Sequence, residues 1–168
     1  VNSPALKSKR RDDQAPRRQK NGDNKKTEFI SLIQDIIKNS DLAVEKFQEL
    51  TDFEFGYNEE SIEWLAGFIN RQRERDDFSL ELGKNMTNTI GSFLGQCIVK
   101  CHAGKWKETT EGWAVEFNDQ NKVYPFNKTL KQFENGPEDS IYSFFTTIPI
   151  IFELTTGRPE KKWWEFWK

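Results

Sequence analysis

Cysteine, histidine and methionine are almost missing from this chain: two Cys, one His and one Met stand among 168 residues. So few thiols exclude a disulfide scaffold, and a single imidazole excludes the multi-histidine metal centres of hydrolases. Long apolar runs are missing too, so the sequence holds no candidate for a transmembrane helix. The start does not read as a secretory signal, because Arg10-Arg11 and Arg17-Arg18 lead into Asp, Gln and Lys rather than into an apolar stretch. Cys97 and Cys101 lie four apart in a helical pattern, where neighbouring side chains seldom meet disulfide geometry, so reduced thiols in a cytoplasm are the expectation. No glycine loop of phosphate-cradling type occurs, and Gly91-Ser92-Phe93-Leu94-Gly95 has its serine in the wrong frame for a nucleophile elbow.

What is present is aromatic and charged. Fourteen Phe and six Trp supply much of the burial in a chain that is only 35% hydrophobic, while 31% of residues are charged. The net charge of -2 hides an asymmetry. Residues 1–26 hold nine Lys and Arg against three Asp, a net of +6, whereas the remainder, with sixteen basic and twenty-four acidic residues, carries -8. With no aromatic residue and little to bury, residues 1–26 are expected to be a disordered basic arm. Residues 27–154 form one domain, and residues 155–168 an aromatic tail ending in Lys161-Lys162-Trp163-Trp164-Glu165-Phe166-Trp167-Lys168.

Apolar spacing predicts a helix from Thr27 that stops near Asn39-Ser40, and a second short one capped by Ser40. Asn58 reads as the N-cap of a third, with Glu59, Glu60 and Glu63 near its positive end and Arg71, Arg73 and Arg75 near its negative end. Ser79 caps the longest and clearest pattern, in which Leu82, Met86, Ile90, Phe93, Leu94, Cys97, Ile98 and Cys101 recur at threes and fours. Gly91 and Gly95 notch one side of it, so a close neighbour is expected there. Gly104 suits the helix end. Three strand patterns follow, Lys105 to Glu108, Trp113 to Asn118 and Lys122 to Phe126, and imply a meander whose third strand is an edge or ends at Pro125. A helical turn over Lys128 to Glu134 and a last helix capped by Asp139 or Ser140, interrupted by Pro149, complete the pattern.

Each candidate for chemistry has a plainer explanation. Cys97, Cys101 and His102 make a C-x-x-x-C-H cluster, but His102 lies about 100° round the helix from Cys101, so the three do not converge on a metal. Buried thiols and a helix-end histidine account for them, and neither metal nor cofactor is expected. Carboxylates gather at Glu59-Glu60, Asp76-Asp77 and Glu138-Asp139, where helix boundaries fall and capping explains them. The basic arm offers phosphate contacts without stacking groups. Trp163, Trp164, Phe166 and Trp167 suit folding back onto the domain or docking to a partner.

The order of Gly91, Leu94 and Gly95 in a helix, Gly104 at its end, Lys105-Trp106, the strand from Trp113 to Phe117, Tyr124-Pro125-Phe126, Lys128, and Gly136 before Asp139-Ser140 resembles a group of small bacterial domains of unknown function. The likeness covers about the middle third of the chain. Members of that group often carry an acid after the second helix glycine, where this chain has Gln96. The resemblance implies no catalytic residue; some proteins of this look are small cytoplasmic partners, including immunity-like proteins of toxin systems.

The expected fold is α+β, with helices packed on one face of a small three-stranded antiparallel meander. The expected function is non-enzymatic protein binding, of an immunity-like or accessory kind, through Asp52, Glu54, Glu59, Glu60 and Glu63, through Glu108, Glu111 and Glu116, and through the terminal aromatics. Two alternatives are a nucleic-acid-associated protein acting through residues 1–26, and an enzyme whose site is assembled only in space.

Overall fold

A computed structural model of the protein describes residues 17–152, which hold five helices and one small sheet. The order is α1 (Arg17–Gln48), α2 (Glu59–Arg73), α3 (Leu80–His102), β1 (Lys105–Thr109), β2 (Gly112–Glu116), β3 (Lys122–Val123), α4 (Pro125–Asn135), a 3₁₀ turn (Gly136–Asp139) and α5 (Ile141–Ile151). The strands form an antiparallel meander in the order β1-β2-β3, with Trp106 opposite Val115 and Val115 opposite Val123. This is the α+β fold expected from the sequence. Residues 1–16 and 153–168, with Trp163, Trp164, Phe166 and Trp167, lie outside the described residues.

Three helix starts form where local chemistry demands. The Asn58 side chain accepts from the Ser61 amide at 2.8 Å, Ser79 from Leu82 at 3.2 Å, and Ser140 from Tyr142 and Ser143 at 3.2 and 3.4 Å. Each satisfies an amide that has no partner inside its own helix. Asp139, the other candidate cap for α5, instead receives Lys128 Nζ at 2.8 Å and Asn135 Nδ2 at 2.6 Å.

α3 is the central element and packs most extensively against α4 and α1. Ile90, Phe93, Leu94, Cys97 and Ile98 on it are buried, and meet Ile62, Leu65 and Ile69 of α2, Phe133 of α4 and Ile141, Phe145 and Ile148 of α5. Each such large side chain contributes about 1.5–3 kcal/mol by leaving water. The sheet lies at the end of α3. Alternation places Trp106, Trp113, Val115 and Phe117 on the face turned to the helices, and Lys105, Lys107, Ala114 and Glu116 on the other.

Close backbone approach explains the notch. A Cβ on Gly95 would overlap the Trp106 indole, and one on Gly91 would lie 2.6 Å from Phe126 Cδ1 and 3.0 Å from its Cα. Trp106, Phe117 and Phe144 are partly buried and pack against the core, and Trp113, Tyr124 and Phe126 are likewise only partly buried.

Several expectations need correction. α1 is one helix where two were expected, because Ser40 is buried and its hydroxyl lies 2.7 Å from Tyr57 Oη instead of capping a new start. α1 also begins at Arg17, so residues 17–26 of the expected disordered arm are helical. Arg17, Arg18, Gln19 and Lys20, with Lys25 and Lys26, favour that extension, against Asn21, Gly22, Asp23 and Asn24, which do not.

Gly104 does not terminate α3. Ala103 does, with a left-handed φ of 57°, and Gly104 is small because a Cβ there would overlap Val115. Pro125 occupies the first position of a full helix α4, where its missing N–H costs nothing, in place of the short turn expected from Lys128. At the other end of α4, Arg73 donates to the carbonyls of Phe133 at 2.9 Å and Glu134 at 3.2 Å. Its guanidinium fills the space a Cβ on Gly136 would need, and Gly136 has φ 83°. Pro149 sits inside α5 without dividing it.

Candidate functional site

The connection from α1 to α2 is shaped by one amide side chain. Gln48 donates from Nε2 to the Phe53 carbonyl at 2.9 Å and accepts the Phe55 amide at Oε1, also at 2.9 Å. The segment between is thereby pinned to the end of α1: Phe55 is buried and Phe53 partly so, while Asp52 and Glu54 are exposed. Asn58 then starts α2, whose first turns present Glu59, Glu60 and Glu63. All five carboxylates are exposed. None of them forms an ion pair with another described residue. Glu59 is tied to α5 by the Tyr142 hydroxyl, which donates at 3.2 Å, and Glu59 and Glu60 sit where the helix dipole favours negative charge.

The second acidic set is not brought to this surface. Glu108 and Glu111 lie at the β1–β2 hairpin, and Glu116 pairs with Lys107 across the outer face of the sheet. Glu111 lines a cleft of about 360 Å³ between the hairpin, α1, α3 and α4, with Asp35, Asn39, Asn88, Trp113 and Asn127. The stretch of α1 from Asn39 to Gln48 separates that cleft from the acidic connection by roughly 14 Å.

Behind the acidic connection, Tyr57 anchors α2 to α1. Its hydroxyl donates to Asp41 at 2.7 Å, its ring stacks on Phe93 at 5.4 Å, and Lys100 Nζ lies 3.7 Å above the ring. Burial is the main reason that its phenol is pushed up to about 12.

Beside Tyr57, the last turn of α3 brings two thiols into contact, with Cys97 Sγ and Cys101 Sγ 3.9 Å apart. Cys97 is fully buried and faces the Asn58 carbonyl at 3.7 Å; Cys101 is exposed and faces the Tyr57 carbonyl at 3.5 Å. The buried thiol serves as hydrogen-bond donor to its neighbour, which is the main cause holding Cys101 down at about 7, against its own partial burial and Glu59. That bond and burial push Cys97 far above the thiol range. The sequence pattern treated both as core residues, yet α3 ends one residue after Cys101, and a side chain in a final turn is covered on fewer sides.

His102 does not join them. Its ring packs against Phe145 at a centroid distance of 4.7 Å, and burial lowers its pKa, opposed by the Phe145 carbonyl and Glu59. Pro149 has no N–H to offer that carbonyl four residues back. Among the described residues no three His, Cys, Asp or Glu side chains gather as metal ligands. No helix among them is long and apolar enough to cross a membrane.

No protein-family model matches this chain, and neither a curated protein nor a solved structure is significantly similar to it.

Proposed function

We propose that this protein is a non-enzymatic binding domain, of the accessory or immunity-like kind, that neutralises a partner by presenting Asp52, Glu54, Glu60 and Glu63 to that partner's basic face. Support comes from the four exposed carboxylates between α1 and the second turn of α2, which form no ion pair with another described residue. A surface carboxylate with no partner of its own is available to steer and orient a cationic one. Gln48 and Asn58 fix the backbone that carries these groups, so little ordering cost falls on binding.

The test is affinity capture from the native cell with the full chain and with a D52K/E54K/E60K/E63K variant, repeated over a range of salt. One partner held by the wild type, released by salt and lost by the variant is the expected outcome. Equal capture by both forms sinks the proposal. Loss of nucleic acid on changing Arg17, Arg18, Lys20, Lys25 and Lys26 to Gln, with no protein partner affected by the acidic variant, would favour the basic segment instead. Substitution is preferable to deleting residues 1–26, because α1 starts at Arg17.

A further inference from the structure

We propose that Cys97 and Cys101 are an oxidative modification site, at which Cys101 reacts with a hydroperoxide and Cys97 resolves the product as an intrahelical disulfide. The division of labour follows from placement. A peroxide-reactive cysteine must be reachable and partly ionised, with a second thiol in contact to capture the oxidised sulfur. Cys101 is exposed, and Cys97, one helical turn earlier, is buried with its sulfur 3.9 Å away. The buried thiol keeps its proton and donates toward Cys101, which stabilises the outer group as thiolate; Lys100 acts in the same direction and Glu59 against it.

In the first step the Cys101 thiolate attacks one oxygen of hydrogen peroxide, the O–O bond breaks, and hydroxide leaves to be protonated to water. Cys101 is now a sulfenic acid. In the second step Cys97 loses its proton and attacks the Cys101 sulfur, the S–O bond breaks, and the departing hydroxide takes a proton to become water. The sum is two thiols and one peroxide converted to one disulfide and two waters.

The sulfurs must close from 3.9 Å to about 2 Å. Residues four apart in a helix have Cα atoms about 6 Å apart, inside the disulfide range, but their Cβ atoms must approach. The last turn of α3 is where this is cheapest, because Ala103 turns left-handed and the carbonyls of the final turn have no intrahelical donor. Closure also frees the Tyr57 and Asn58 carbonyls that face the two thiols, at the point where α2 and its acidic first turn begin. The chemistry does not depend on the binding role proposed above.

The experiment treats the reduced full chain with hydrogen peroxide and follows intact mass, with dimedone present to trap sulfenic acid. In the wild type the expected product has lost two hydrogens, stays monomeric on a non-reducing gel and regains its thiols with dithiothreitol. In Cys97→Ala, Cys101 loses the donor that favours its thiolate and reacts more slowly, but its sulfenic acid has no resolving thiol, so at full oxidation the expected product is a dimedone adduct on Cys101, several-fold more abundant than in the wild type; in Cys101→Ser neither adduct nor disulfide forms. The wild-type mass is read independently of how well either variant folds. Wild-type protein that gains only oxygen atoms, that links only into dimers, or whose Cys97 reacts in the Cys101→Ser variant overturns the proposal.

Discussion

Gly95 and Trp106 share one space: the indole of Trp106 lies where a side chain on Gly95 would be, and its Nε1 donates to Oε1 of the next residue, Gln96, at 3.1 Å. The helix notch and the strand tryptophan are therefore one packing unit. Gln96 is the acceptor that fixes the ring.

Gly95→Ala should destabilise the fold by about 2 kcal/mol or more, with about 3 lost to overpacking and about 1 regained in helix propensity. Gly67→Ala in α2 is the control. A Cβ there meets only Arg71 Nη1, at 3.1 Å, which can move aside. It should leave stability unchanged or raise it by up to about 1 kcal/mol. Urea unfolding of the two variants checks the opposite signs, and equal losses would contradict this account.

Gln132 is buried at the junction of three helices. It donates to the Ala66 carbonyl at 2.9 Å and to Asn70 Oδ1 at 3.1 Å, and it accepts the Ile141 amide at 2.8 Å. Gln132→Leu leaves that amide, at the first position of α5, without a partner, and should cost about 2–3 kcal/mol. The denaturant midpoint should fall with an unchanged slope.

Alkylation of Cys101 by iodoacetamide should be half-maximal near pH 7, as its lowered pKa requires. Cys97→Ala removes the hydrogen-bond donor that is the main cause of the lowering, so the profile should move up toward ordinary thiol behaviour. Rates measured against pH with mass detection decide it; overlapping profiles would remove Cys97 from that role.

His102 favours its neutral form in the folded chain, so the unfolded chain takes up the proton first. Its contribution to stability is complete above the ordinary histidine value of 6.5 and declines as pH falls below it, until the folded group itself titrates. Asp139, held low mainly by Lys128, acts only further down, where its contribution is lost as pH falls through its folded value. His102→Gln should therefore flatten the stability profile just below 6.5 and leave the more acidic limb in place, as thermal unfolding against pH would show.

Legibility in the sequence followed the range of the interaction. The caps Asn58, Ser79 and Ser140 were readable because each bonds within three residues. The continuity of α1 was not, since Ser40 reads as a cap unless Tyr57, seventeen positions on, occupies its hydroxyl. The acidic segment was visible as composition, but Gln48, which pins its backbone, carries no local signal of that role. Glu111 and the Asp52–Glu63 group looked alike in sequence, and the length of α1 keeps them apart.

By itself the sequence determined the α+β class, the meander, three helix starts and the existence of a close contact at Gly91 and Gly95, because periodicity, capping and missing side chains are local properties. Only the tertiary structure decided what fills the notch, which carboxylates share a surface, and that of two cysteines one turn apart one is sealed and the other open. Burial and hydrogen bonding between distant residues set those outcomes, and they depend on which elements meet at the end of α3 rather than on the residues beside each cysteine in the chain.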